Sequence, residues 1–419
     1  MKMKSNDRKV ILGNIFFLAL LQVVNYVFPL LSWPIMSNAL GLSDFGVLLI
    51  LLSICGIANM FTDFGFDLSA TYSVSKNIKD KSYIDSLLSN VFFIKSFLSI
   101  VVILCSFLYI YTQISIYSSI NAYTYLIISL IIVSQSCQYI WFFQGVEKMK
   151  YITLATVLSK SGYLILLLII MPIFQSVNSA LVCFLISQVV VSVTHIRCIY
   201  KENFSFGKVS IGPLISELKK SLGFFLSRIA VSLYTSANTL ILGHFQGSTA
   251  AGLYGAAEKL YFAGSRVSGV LSQALYPNMA KTGNVRLLVK IVSSIFIPFC
   301  FCCYAVSFFS SEIMEIIFGS EFSSASNILE LFLLLMCITF LSISLGYPGF
   351  AAIKKIEFAN YTVVIGSFFH LLGMAILFYE NSITTVNLLT LVIITESIIL
   401  IVRVTFLIYF ARKVYDNKK

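Results

Sequence analysis

Charge is what this chain has least of: only 11% of its 419 residues are Asp, Glu, Lys or Arg. Soluble domains carry roughly a quarter. So sparse a supply cannot cover a water-facing surface, and a soluble globular protein is excluded. Histidine is nearly missing too, with three residues at 195, 244 and 370. The nine cysteines lie almost all inside apolar runs, and the one close trio, Cys300, Cys302 and Cys303, has no neighbouring histidine. Metal ligation needs deprotonated ligands and a polar surround, so these thiols read as small apolar filler, with no disulfide framework. No GxxxxGK[ST], HExxH or GxSxG motif occurs, which removes direct ATP hydrolysis and the common soluble hydrolase classes. No cofactor and no metal are expected. Disorder is excluded by 58% hydrophobic and 15% aromatic residues.

What the chain has is apolar runs almost end to end. A hydrocarbon core about 30 Å thick needs roughly 20 apolar residues per helix. Twelve runs satisfy this: 12–33, 45–66, 89–111, 122–143, 152–173, 179–196, 221–243, 253–276, 287–309, 326–347, 359–379 and 385–410. The first is too long for a cleavable signal peptide and lacks a small-residue cleavage site. The fold class is therefore all-α, a polytopic membrane protein of about twelve transmembrane helices.

Loop charges test that count. With a cytoplasmic N-terminus, 23 of the 29 basic residues fall in inner segments, six fall within spans and none in outer loops. Acids such as Asp44, Glu312, Glu315, Glu321 and Glu380 lie outside. This is the positive-inside pattern, and one miscounted helix would scramble it. The net charge of +11 thus reflects orientation and anionic lipid contact, not nucleic-acid binding. Both termini are expected on the cytoplasmic side. The outer loops are short, the longest being about 310–325, which leaves little room for an external enzyme site.

The most polar internal stretch, 197–220, divides the spans six and six. It suggests an N-terminal lobe over 1–200, a cytoplasmic linker over 201–220 and a C-terminal lobe over 221–419. Gly41 and Gly46 in GLSDFG recur as Gly247 and Gly252 in GSTAAG, displaced by 206 residues. The pattern points to a parallel duplication, the arrangement of rocking transporters.

Six cations lie within spans: Lys95, Lys160, Arg228, Lys259, Arg266 and Arg403. Each would cost about 2.5–3.5 kcal/mol facing lipid at the bilayer centre. Lys95 and Arg403 lie near the inner surface and are expected to snorkel. Arg266 is too deep for that, and Lys259, seven residues before it, shares its helical face. These cations, with Arg228 and Lys160, are the candidate lining of a wet, anion-accepting cavity. A structural pairing of Lys259 with Glu258 is the competing reading. Glu396, His370 and Asp63 are candidates for ion coupling, although a salt bridge to Arg403 is an equally simple reading of Glu396 and a satisfied core histidine the simpler reading of His370. Pro29 and Pro34, with the polar Asn25 ahead of them, mark a candidate kink or gate in the first span.

The segment QYIWFFQGVEKMK (138–150) resembles a motif of polysaccharide-unit flippases. These are the Wzx-type exporters of the multidrug/oligosaccharidyl-lipid/polysaccharide (MOP) superfamily. Residues 224–260, FFLSRIAVSLYTSANTLILGHFQGSTAAGLYGAAEKL, are similar as well, and 25–46 and 63–76 more loosely so. The resemblance implies two six-helix lobes, as in multidrug (MATE) transporters. It implies transfer of undecaprenyl-diphosphate-linked O-antigen units across the bacterial inner membrane, as part of lipopolysaccharide biosynthesis. It implies no enzymatic activity, and as partners a lipid-linked oligosaccharide, membrane lipids and O-antigen assembly proteins such as a polymerase and a chain-length regulator. Cationic cavity residues of such flippases contact the diphosphate or acidic sugars, and Arg228 and Lys259 fall inside the similar segment. Lys148 and Lys150 of the first motif read as orientational. The alternatives are a multidrug cation antiporter, a peptidoglycan-precursor flippase, and a membrane-embedded sugar polymerase or ligase.

Overall fold

The computed structural model describes residues 5–113, 120–207, 209, 211–235 and 237–416. Lys2, Lys4, Lys208, Lys418 and Lys419, counted above among the inner basic residues, lie outside the described residues. The described residues are helical almost throughout, with no strand. In a water-free bilayer core the helix satisfies every backbone group within its own segment.

The chain divides into two compact units, Met1–Ile229 and Ala230–Lys419. The first contains α1 (Ser5–Asp63), α2 (Phe66–Lys76), α3 (Lys81–Gln113), α4 (Ala122–Ser136), α5 (Ile140–Gly145), α6 (Met149–Ile170) and α7 (Val177–Lys201). Most of α8 (Ile211–Thr235) also belongs to it. The second contains α9 (Asn238–Thr282), α10 (Val285–Ser307), α11 (Ser310–Phe318) and, after a 3-10 turn at Ser320–Ala325, α12 (Ser326–Leu345). It ends with α13 (Tyr347–Ala352), α14 (Glu357–Tyr379) and α15 (Thr385–Asp416).

Among the described residues, nine helical stretches are long and apolar enough to span a membrane. One of them, Phe16–Lys76, carries two expected spans, and α8 and α9 supply the two that are more polar. The expected spans thus fall mainly on helix, although the seventh, 221–243, crosses the junction between α8 and α9, and the fourth, 122–143, crosses that between α4 and α5. The segment expected as the longest outer loop, 310–325, is instead folded: α11 and the 3-10 turn bury Met314, Phe318 and Phe322. Ser310 Oγ ties its start to Glu330 Oε1 of α12 at 3.1 Å. Its apolar residues recur at helical spacing, and burial of that face outweighs the loop tendency of its serines.

Helix α1 stays helical through Pro29 and Pro34, and its backbone breaks at Gly41 (φ 73°, ψ 176°). The discontinuity thus sits at the glycine, not at the prolines. Proline's fixed φ suits a helix, and Ser37 Oγ and Asn38 Nδ2 both donate to the Pro34 carbonyl. In α9 the break falls at Gly247, with φ 83° and ψ 179°. This corner of φ/ψ space is essentially open to glycine alone.

The halves repeat in a second place. Short α5 and α13 are both six residues long. Each ends through a left-handed residue, Glu147 (φ 57°) or Lys354 (φ 58°). Each closes with a backbone bond five residues back, Lys148 N to Phe143 O and Lys355 N to Phe350 O, both 2.9 Å.

In the first unit, Tyr139, Trp141, Phe142 and Phe143 of the 138–150 motif lie in an apolar core, together with Phe66 and Val74 of α2 and Ile84, Leu87, Leu88 and Val91 of α3. Gly145 permits that approach: a Cβ there would sit 2.6 Å from Val74 Cβ. The start of the segment expected as a linker, 201–220, packs on this core. Phe204 packs on Phe142 and Phe206 on Tyr139, while Asp85 Oδ1 accepts from the Ser205 backbone N–H at 2.9 Å. From Ile211 onward it is helix α8.

Candidate functional site

The first unit gathers four charges at the junction of α1, α2, α3 and α8. Asp63, the last residue of α1, is 4% exposed. Its Oδ2 accepts from Arg228 Nη1 at 2.7 Å, and its Oδ1 lies 3.5 Å from Lys95 Nζ. Asp67 Oδ2 accepts from Arg228 Nη1 and Nη2 at 3.2 and 3.3 Å. The sequence placed Asp63 and Arg228 in separate roles; the fold makes them partners. Lys95, expected to snorkel, is instead 3% exposed and paired. A carboxylate within reach is a better solvent for a buried ammonium than a stretched side chain at the interface. Asp67 and Arg228 remain accessible, with side chains 35% and 44% exposed. These bonds use part of the five N–H donors of a guanidinium. The helix carrying Arg228 is fixed by close packing: Phe225 stacks on Phe64 with ring centroids 4.3 Å apart, and Ser221 Oγ lies 2.6 Å from Ser69 Oγ.

A second feature of this unit is a cavity of about 320 Å³ walled by α1, α5, α6, α7 and the residues just before α5. Pro29 and Trp33 of α1, Lys160 of α6, Gln138, and Gln188 and His195 of α7 line it. Gln138 Nε2 donates to Gln188 Oε1 at 2.8 Å. His195 is 1% exposed, and its Nδ1 accepts the Tyr139 backbone N–H at 3.2 Å. Among the described lining residues there is no Asp or Glu. The sequence reading held Lys160 and Pro29 but missed the rest. A signal was present: positions 29, 32, 33 and 36, 156, 159, 160 and 163, and 184, 187, 188, 191 and 195 recur at helical spacing along three spans.

At the C-terminal end of α7, Glu202 is held by Lys148 Nζ and the Tyr151 hydroxyl. Burial pushes its carboxyl up, but these two hydrogen bonds and the charges of Lys148 and Lys150 outweigh it and hold it below the ordinary value. Lys150 Nζ lies over the Tyr151 ring, 4.8 Å from its centroid. Lys148 therefore ties α7 to α6.

In the second unit, Lys259 is half-buried and Arg266 exposed on α9. Glu258 turns inward, 6% exposed, and accepts from Thr239 Oγ1 at 3.3 Å. His370 is 1% exposed, with Nδ1 3.0 Å from Thr395 Oγ1. Glu396 is partly buried on α15 within reach of the Arg403 charge and of Ser342. Arg403, expected to snorkel, is 8% exposed: it donates to the Ser342 carbonyl and hydroxyl at 2.6 and 2.8 Å and to Thr362 Oγ1 at 2.9 Å. Asn25 is half-buried on α1.

Two curated relatives share recognisable sequence. A candidate O-antigen transporter of Escherichia coli K12 is 29% identical over 275 residues, 64% of this chain and 65% of its own. The matched part thus spans just under two thirds of that relative. A candidate O-antigen transporter of Shigella dysenteriae is 24% identical over 86% of this chain and 91% of its own. Among solved structures, the lipid II flippase MurJ in an inward closed conformation aligns with a TM-score of 0.73, 14% identity and coverage of 93% and 87%. The fold is one seen in transporters of the MOP superfamily. Residues 11–283, well over half the chain, match the family described as polysaccharide biosynthesis protein, and the chain belongs to that family.

Proposed function

We propose that this protein moves undecaprenyl-diphosphate-linked polysaccharide repeat units from the cytoplasmic to the outer leaflet of the bacterial inner membrane, by alternating access and without catalysis. A lipid-linked oligosaccharide has a tail that can remain in hydrocarbon and an anionic head that cannot. Moving the head needs fixed positive charge in reach of water. The observation that carries the reading is Arg228, oriented by Asp63 and Asp67 yet 44% exposed. A guanidinium held in this way offers its remaining donors bidentately to a phosphate. Lys259 and Arg266 of α9, spaced to share a face, are proposed as further contacts to the head group. Glu396 and His370 are proposed as coupling groups. Family membership and the names of the two relatives support the class of cargo.

The reading is tested in a strain lacking the gene. Single lipid-linked units are expected to accumulate in the inner leaflet, with surface polysaccharide restored by the wild-type chain. Units that reach the outer leaflet yet stay unpolymerised would mark a polymerase instead. Wild-type resistance to drugs lost on deletion, with surface polysaccharide intact, would mark a multidrug antiporter.

A further inference from the structure

We propose that the pocket between the start of α1 and the junction of α5 with α6 holds the head group of one phospholipid that carries both a phosphate and an ammonium, as phosphatidylethanolamine does. The inference concerns a lipid of the surrounding membrane and stands apart from the transport reading. The pocket, of about 350 Å³, is lined by Asn14 and Phe17 of α1, by Val146, Glu147 and Lys148 of the junction, and by Lys150 of α6. That is the space of roughly a dozen waters, enough for a phosphate and a two-carbon amine.

The walls are tied together. Asn14 Nδ2 donates to the Glu147 carbonyl at 2.9 Å. Glu147 is left-handed, and Lys148 N closes the turn on Phe143 O at 2.9 Å. The lining carries both signs of charge. Lys150 is exposed, and Lys148 gives Glu202 one of its three N–H donors and keeps two. Hydrogen bonds from ammonium to phosphate are charge-assisted. Glu147 is exposed and is the one acid among the described lining residues. It complements an ammonium, whereas a purely anionic head group would leave it beside like charge.

Depth and surroundings point to a lipid and not to a free ion. The pocket lies where two apolar stretches begin, Phe16–Lys76 and Met149–Ile170, which is the level of lipid head groups. From there α1 and α6 run side by side. Thr153 Oγ1 donates to the Phe17 carbonyl at 2.8 Å, and further along the Tyr163 hydroxyl donates to Met36 Sδ at 3.2 Å. Both helices expose apolar side chains on the way, Phe16 and Val23 on α1 and Leu154 and Leu158 on α6. Acyl chains have a surface to follow; inorganic phosphate has no use for one.

Native mass spectrometry of the full-length protein tests this. The detergent-solubilised chain is equilibrated with equimolar phosphatidylethanolamine and phosphatidylglycerol of identical acyl chains, and retained lipid is counted. The first lipid retained is expected to be phosphatidylethanolamine, favoured about threefold or more, as one exposed ion pair implies. Glu147→Gln should remove that preference. Lys150→Gln should lower retention of both lipids, and Lys150→Arg should keep it. Lys219→Gln, on α8 and outside the pocket, should change nothing, and excess inorganic phosphate should displace no lipid. Size-exclusion profiles establish that each variant is folded. Equal retention of the two lipids by the wild type overturns the site. So does a preference that survives Glu147→Gln, a loss on Lys219→Gln matching that on Lys150→Gln, or displacement by phosphate.

Discussion

Gly41 and Gly247, separated by 206 positions, adopt the same backbone conformation, φ 73° and ψ 176° against φ 83° and ψ 179°. Both interrupt a long helix that resumes at once. The shared break repeats one backbone geometry at corresponding places in the two halves. It also shows why glycine stands at both places, because a side chain there would force the preceding carbonyl and the Cβ together.

Replacing Gly247 by Ala is therefore expected to destabilise the protein by about 1–3 kcal/mol. Nothing lies within 4 Å of a Cβ built at Gly247, so the loss comes from conformation and not from crowding. Thermal melting of the purified protein measures it. A neutral result would show that the helix can straighten at this point.

Gly145 is the opposite case. Its own backbone is unstrained, but an added Cβ would meet Val74 Cβ at 2.6 Å and the Thr71 carbonyl at 3.1 Å. Gly145→Ala is expected to lower stability by about 1–3 kcal/mol through overpacking. Val74→Gly removes that Cβ, so the double variant is expected to lose less than the sum of the two single losses, and additive losses would refute the contact.

Asp63 balances two cations, one of them buried. Asp63→Asn leaves the Lys95 ammonium without its anion and is expected to cost about 3–5 kcal/mol. Adding Lys95→Met should restore much of the melting temperature, because the stranded charge is gone. If the double variant is no more stable than Asp63→Asn, the pair is not what matters there.

Arg228→Ala is expected to abolish surface polysaccharide while membrane insertion, read by fractionation, stays normal. Arg228→Lys keeps the charge but not the fork and should restore only part of the function. Full display by Arg228→Ala would remove the guanidinium from the transport path.

Glu202 gives a pH dependence. Its folded carboxyl titrates below the ordinary value, so its contribution is present above that value and is lost as pH falls through the depressed one. Melting temperature of the wild type should drop more steeply than that of Glu202→Gln on acidification below about pH 4.5. Parallel curves would show that the contacts to Lys148 and Tyr151 carry no linkage.

The span positions and the matching glycine breaks of the two halves were legible in the sequence. They depend on local quantities: runs of apolar residues, and glycines spaced alike in both halves. Hydrocarbon imposes the same demand on every segment independently of its neighbours. Which polar groups meet was not legible. Lys95 and Arg403 looked like snorkelling cations because depth along one helix was all that could be read. Asp63 lies 165 positions from Arg228, and only packing of α1, α2, α3 and α8 puts them in contact. The cavity holding Lys160 and His195 likewise exists because three helix faces converge, and no single span records the width of the gap between them. A buried charge is decided by the partner that the fold supplies, and a partner is a property of three dimensions.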